Sequence, residues 1–169
     1  MKILFDTKDL SLVKQYVTRQ FDKILRKRIS IQDLTFAKEF RGLNGYKISA
    51  CVPALELTRR LMRKDPRAIP RIGERVRYII VAGAPNQPLI QCVRTPTEVI
   101  LDESLIPNSI YYITKVIIPP LNRCLNLVGV DANTWYNEYY IICFYTMSIC
   151  NICSEILSFN FPLSLGIQK

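Results

Sequence analysis

In "LSLVKQYVTRQFDKILRKR", Leu10, Val13, Val17, Phe21, Ile24 and Leu25 return at helical spacing, and no other feature narrows the possible folds of this chain as far. A stripe of that period must be buried against another element. The opposite face, with Lys14, Arg19, Lys23, Arg26 and Lys27, stays in water. Just ahead, "KILF" (2–5) reads as a short strand followed by Asp6 and Asp9. Carboxylates behind a strand can hold catalytic metal ions, or they can start a helix. Strand side chains two apart share a face and those three apart do not, so Asp6 and Asp9 make a poor metal pair. Asp9, or Asp6, is expected to cap the helix, where a carboxylate meets unsatisfied amides and the positive end of the dipole.

Further along, "SIQDLTFAKEFRGLNGYK" predicts a strand around Leu34–Phe40 and a turn at Gly42–Gly45. Pro53 fits the first turn of a second helix, "PALELTRRLMRKD", with Ala54, Leu57 and Leu61 inward and Arg59, Arg60, Arg63 and Lys64 outward. "DPRAIPRIG" is a proline-punctuated loop, and "ERVRYIIVA" (74–82) with "LIQCV" (89–93) reads as a hairpin through "GAPNQP". "IYYITKVIIPPLNRCLNLVG" predicts a helix interrupted at Pro119–Pro120 and stopped by Gly129. Asp131 then caps a short last helix through Trp135 and Tyr136. Tyr111 and Tyr112, set among Ile113, Val116 and Ile117, suit core packing better than base stacking. The sum is an α+β, mainly helical chain with a short β-hairpin, large enough for one domain or one domain with an appendage.

Charge is distributed unevenly. Residues 1–77 carry 19 Lys+Arg against 8 Asp+Glu, whereas residues 78–169 carry 4 against 6. A basic first half points to a polyanion, nucleic acid ahead of an anionic membrane, with a solvated basic surface as the plainer alternative. The absence of histidine removes imidazole bases, triads and metal ligands. No signal peptide is visible, so a reducing interior is expected, with the six cysteines as thiols or ligands. Cys51, Cys92 and Cys124 are isolated and read as core residues. Cys150 and Cys153 form one CxxC, two ligands where a closed metal site needs four, and Cys143 would add only a third. Thr146, Ser148, Asn151, Ser154 and Glu155 break the final apolar stretch before it reaches membrane-spanning length, so no membrane partner is expected.

Several of these pieces, in this order, resemble family B DNA polymerases. "GERVRYII" (73–80) is similar to the family's Gly-Asp-Arg-Val-x-Tyr-Val-Ile strand, which follows the palm and belongs to the thumb. "YYITKVIIPPLNRCLNLVGVD" (111–131) resembles its Tyr-Tyr-Ile, then Pro-Pro-Leu, then a short helix ending in Gly. "ACVPALELTRRL" is more particular, because the family's translesion branch has Pro-Ala-Leu-Glu-Leu-Thr-Arg where other members have Pro-His-Val. The resemblance covers roughly residues 2–136 and implies a polymerase thumb-like subdomain. Residues 137–169 are left as an unmatched hydrophobic tail, better read as a foreign end than as a designed module.

The resemblance also says what to expect of function. A thumb grips primer–template DNA through phosphates without reading sequence, and the candidate contacts are Lys38, Arg41, Arg59, Arg60, Arg63, Lys64, Arg71, Arg75 and Arg77. For Arg59 to Lys64 the alternative is a solvated helix face. For Arg75 it is a core-edge arginine paired with Glu74 or Asp65. "RKR" (26–28) has the chemistry of a nuclear import patch, but a helix C-terminus that favours positive charge explains it as well. The family's catalytic aspartates lie in palm motifs of the Asp-Thr-Asp and Ser-Leu-Tyr-Pro-Ser type, which precede this region; "FDTKD" mimics the first with one residue too many. The parent enzyme is thus expected to extend primers with magnesium ions held in an upstream palm, in the nucleus, beside accessory subunits. Its iron–sulfur cluster belongs to a C-terminal module missing here. The 169 residues alone are expected to hold no cofactor and no activity. A stand-alone non-catalytic duplex-binding module, or an interaction protein held through its tail, are the other readings.

Overall fold

The stripe that opens the sequence is the central helix of the computed structural model, which describes residues 2–47 and 50–149. Helix α2 (Leu10–Leu25) buries Val13, Val17, Phe21 and Ile24, and Asp9 caps it by accepting the Ser11 N–H at 2.7 Å. Its far end turns sharply. Lys27 adopts a left-handed conformation (φ 56), its N–H donates to Ile24 O, and the Arg28 N–H reaches back to Lys23 O at 2.8 Å. This is the helix-ending turn in which glycine is usual, here with a lysine at the strained position.

The expected strand at "KILF" is instead helix α1 (Lys2–Thr7). Local bonds explain the difference. Thr7 Oγ1 donates to Ile3 O at 2.7 Å, the Lys8 N–H donates to Leu4 O at 2.9 Å, and Lys8 turns left-handed (φ 55) to end the helix. No described strand pairs with this stretch, so a helix satisfies backbone groups that an isolated strand would leave to water.

A three-stranded antiparallel sheet replaces the simple hairpin. Strands β1 (Phe36–Glu39), β2 (Arg75–Ile80) and β3 (Val93–Arg94) lie in the order β1-β2-β3. Strand β1 is shorter than expected, since Leu34 is buried ahead of it and gives its carbonyl to the Tyr112 hydroxyl (2.7 Å). "LIQCV" is mostly not strand. Pro88 opens a 3₁₀ turn over Leu89–Cys92, closed by the Gln91 N–H on Pro88 O, and the chain becomes extended only at Val93.

Helix α3 (Pro53–Lys64) begins at the proline, as expected, and buries Ala54, Leu55, Leu57 and Thr58. The Thr58 hydroxyl donates to Ala54 O, so no buried polar group is left unmet there. Helix α4 (Pro96–Leu101) was not anticipated, although "TPTE" encodes it. Thr95 Oγ1 accepts the Glu98 N–H, Glu98 accepts the Thr95 N–H, and Pro96 sits in the first turn.

The interruption expected at Pro119–Pro120 lies upstream of them. Helix α5 (Ser109–Tyr111) widens to a π-helical turn over Tyr112–Ile117 and continues as α6 (Ile118–Leu125), with both prolines inside its first turn. Prolines cannot donate to the carbonyls four residues earlier. The wider turn, in which the Ile118 N–H bonds Ile113 O, absorbs that defect without breaking the helix. Gly129 (φ 73) then stops the run, and the Val130 N–H returns to Leu125 O.

Asp131 accepts the Asn133 N–H at 2.8 Å and starts helix α7 (Ala132–Ile149), which is longer than expected and runs without a break past residue 136. It lies against α2. Phe21 meets Tyr136 edge-on at 5.6 Å, Lys14 pairs with Glu138 at 2.6 Å, and the Tyr139 hydroxyl donates to Asp22 Oδ1 at 2.6 Å. Tyr112 ties the helices to the sheet: its ring stacks on Phe36 at 5.5 Å, its oxygen accepts the Ile80 N–H, and burial pushes its phenol up to about 12. Tyr111 packs partly buried beside it, so both tyrosines are packing residues. Cys92 is buried and Cys124 half-buried, but Cys51 is exposed, because it precedes α3 in a surface loop. Among the described residues no helix is long and apolar enough to cross a membrane. The Cys150–Cys153 motif, and Asn151, Ser154 and Glu155 with it, lie outside the described residues.

Candidate nucleic-acid interface

Two elements present the expected cations, and each does so on a firm base. On α3 the buried side is fixed by Leu55, Leu57 and Thr58, all 2% exposed or less, so the opposite side is rigidly displayed. Arg59, Arg63 and Lys64 project into solvent from it. Arg60 behaves differently. Its Nη1 donates to Val93 O at 2.9 Å, its other terminal nitrogen lies 3.8 Å from Glu56 Oε1, and its side chain is only 24% exposed. Arg60 therefore holds α3 to β3, and its guanidinium is largely committed.

The second group sits at the end of the sheet. Arg75 lies opposite Glu39, Arg77 opposite Ala37, and Lys38 opposite Val76. Side chains alternate along a strand, so Arg75 and Arg77 share one face and Lys38 points from the other. Beyond the last paired residues the two chains stay joined: the Phe40 N–H donates to Glu74 O and the Gly73 N–H to Phe40 O, each at 2.8 Å. That brings Arg41 and Arg71 to the same end as Arg75. The Arg41 N–H is fixed by the Tyr46 hydroxyl and the Arg71 N–H by Glu74 Oε2, both at 2.9 Å, while both side chains are exposed. Gly42 (φ +78) lets Ile72 close over it, since a Cβ there would stand 3.2 Å from the Ile72 side chain.

The pairing considered for Arg75 is not seen. The Glu74 carboxylate takes the Arg71 amide, and Asp65 takes the Arg67 amide at 2.9 Å. Among the described residues, Arg60 is the one candidate with an ion pair; Lys38, Arg41, Arg59, Arg63, Lys64, Arg71, Arg75 and Arg77 have none. Sequence reasoning passed over Arg67, exposed in the proline loop beside Arg71, although the basic spacing of "DPRAIPR" signals it. It also passed over Arg94, whose Nη1 donates to Gln91 O (2.6 Å) and Val93 O (2.8 Å) and so stiffens the turn into β3. Arg94, Arg60 and Lys64 line a hollow of about 580 Å³ between α3 and α4, but Glu98 and Asp102 share its wall and offset the positive charge.

The amino-terminal carboxylates do not come together as a metal site. Asp6 is exposed on α1 and Asp9 is bound to the start of α2. Among the described residues no cluster of three or more His, Cys, Asp or Glu side chains could hold a metal ion.

Comparison with known proteins covers most of this scaffold. The model of the family described as DNA polymerase family B matches residues 3–128. The chain is 60% identical to the DNA polymerase zeta catalytic subunit of Drosophila melanogaster over 136 residues, 80% of its length. It is 55% identical to that of Homo sapiens over 138 residues, 82% of its length. Likeness to the DNA polymerase delta catalytic subunit of Caenorhabditis elegans is lower, 30% over 122 residues. The chain spans 6%, 4% and 11% of those three proteins, respectively.

Proposed function

The chain belongs to DNA polymerase family B, and from that premise we propose that it is the duplex-gripping thumb of a translesion DNA polymerase of the zeta type, acting in the nucleus. The observation that carries this reading is the set of exposed cations, without ion pairs among the described residues, on two firm supports. Arg59, Arg63 and Lys64 stand on α3, and Arg41, Arg71, Arg75 and Arg77 gather at one end of the sheet. Phosphates recur along any duplex, so fixed cations hold it in register while leaving base identity unread. A firm support matters as well as charge, because a packed helix has little backbone freedom left to lose on binding. Arg60 serves this surface indirectly by keeping α3 against β3.

Nucleotidyl transfer itself is assigned to a palm elsewhere in the polymerase, and accessory subunits to surfaces outside these residues. The family's magnesium ions do not fit the donors here. Asp9 has an oxygen taken by the Ser11 amide, and Asp6 is alone on an exposed helix. The thumb's part is to hold the primer–template duplex while the metal-bearing palm does the chemistry.

Titrating the 169-residue chain with a primer–template duplex at several salt concentrations tests the proposal. Weak binding, indifferent to sequence, is expected, with log K falling by about 0.9 per phosphate contact for each unit of log salt. A flat salt response, or no binding in dilute buffer, overturns it.

A further inference from the structure

A separate basic hollow lies where α2 meets α7. Its volume is about 420 Å³, and Thr18, Arg19, Asp22, Lys23, Arg28 and Tyr139 line it. Arg19 and Lys23 come from adjacent turns of α2. Arg28 joins them because the left-handed Lys27 folds the chain back, so that the Arg28 amide bonds Lys23 O at 2.8 Å. All three cations are exposed. Asp22, the one acid among the described residues of the wall, is already engaged: its Oδ1 accepts the Tyr139 hydroxyl and Arg26 Nε, each at 2.6 Å. Among the described residues Arg19, Lys23 and Arg28 have no ion pair. Tyr139 of α7 supplies one wall, and the other lining residues come from α2 and the turn that ends it.

We propose that Arg19, Lys23 and Arg28 form a second phosphate site, distinct from the α3 and sheet cations, that takes a phosphate group of a nucleic-acid strand. Three cations around one hollow match the oxygens of one phosphate, with the Tyr139 ring as a wall and its hydroxyl proton kept by Asp22, and the open mouth admits a strand passing through as readily as a free end. The Arg26 pair offsets part of the Asp22 charge, and the hollow stays net positive.

The test compares the full chain with its Arg19→Gln/Arg28→Gln variant, using a short oligo-dT strand and inorganic pyrophosphate as probes. Backbone amide shifts at Thr18, Lys23 and Tyr139 report binding in the hollow. Oligo-dT should move these amides in the parent chain. In the variant its affinity should fall about tenfold, and the salt slope should drop by about 1.4, two contacts at about 0.7 each. Both changed side chains are exposed, so the melting temperature should stay the same. Pyrophosphate shifting the amides while oligo-dT does not would keep the site and assign it to free polyphosphate. Equal affinity and slope in parent and variant, or no shift with either probe, overturns the site. The outcome is separable from the duplex grip: an Arg59→Gln/Arg63→Gln/Lys64→Gln variant should retain the hollow's shifts even where duplex binding is lost.

Discussion

Helices α2 and α3 follow the same plan, an apolar stripe inward and lysines and arginines outward, yet their cations meet different neighbours. On α2, Lys14 pairs with Glu138 of α7, and Arg26, just past its end, pairs with Asp22, both at 2.6 Å. On α3 only Arg60 is paired among the described residues, and Arg59, Arg63 and Lys64 face water. Part of α2's charge therefore serves the fold, while most of α3's stays in water. A count of basic residues cannot tell these apart. The difference lies in which carboxylates the tertiary structure brings within reach.

The comparison breaks most readily by removing charge from each helix in turn. Arg59→Gln/Arg63→Gln/Lys64→Gln on α3 should weaken duplex binding by about two orders of magnitude at low salt, with little change in melting temperature. Lys14→Gln on α2 should do the reverse, leaving duplex affinity within about twofold and lowering stability by about 0.5 kcal/mol or less, since its ion pair is exposed. Fluorescence titration and thermal melting of both proteins decide it. Equal losses of affinity would show that the two helices are not specialised as described.

A smaller effect sharpens the same contrast through pH. The Tyr139 hydroxyl, with Arg26 beside it, holds the Asp22 carboxyl below its ordinary value of 3.8. A folded value lower than the unfolded one contributes stability that is present above the ordinary value and lost as pH falls through the folded one. Tyr139→Phe should therefore cost about 1 kcal/mol at neutral pH, and the cost should shrink in acid. The alkaline limit is shared by raised phenols, Tyr136 and Tyr139 on α7 and Tyr112 beside the sheet. Burial raises the Tyr112 phenol from 10.0 to about 12, so its contribution is full below the ordinary value and disappears as pH climbs through the folded one. Melting curves across pH would show both acid and alkaline sensitivity reduced by Tyr139→Phe, because the substitution also removes a phenol that burial and the Asp22 bond hold well above its ordinary value.

What the sequence made legible follows from how local each cause is. The stripe of α2, the Asp9 cap, the proline start of α3 and the Gly129 stop depend on residues a few positions apart, and all appear where expected. The "KILF" stretch misled because three apolar residues in a row suit either a strand or a helical turn, and only the absence of a partner strand among the described residues decides. Pro119–Pro120 misled because the compensation lies upstream, in the widened turn at Tyr112–Ile117. The candidate site shows the same limit. Exposure of Arg59, Arg63 and Lys64 was readable from helical spacing. The commitment of Arg60 to Val93 O was not, because that carbonyl lies 33 residues further along the chain.

The smallest expected effect concerns the turn that ends α2. Lys27 occupies a left-handed conformation (φ 56) that a side chain disfavours and glycine accepts freely. Lys27→Gly relieves that strain but also loosens the unfolded chain, so the net gain should be only about 0.5 kcal/mol. That corresponds to about 1–2 °C in melting temperature for a chain of this size. Lys27 does not line the α2–α7 hollow, and the turn that folds Arg28 back is kept. Pyrophosphate should therefore shift the Thr18 and Tyr139 amides as in the parent chain. A loss of stability would mean that the lysine side chain itself supports the end of α2. In that case the ends of α2 and α3 would differ in packing as well as in the company their charges keep.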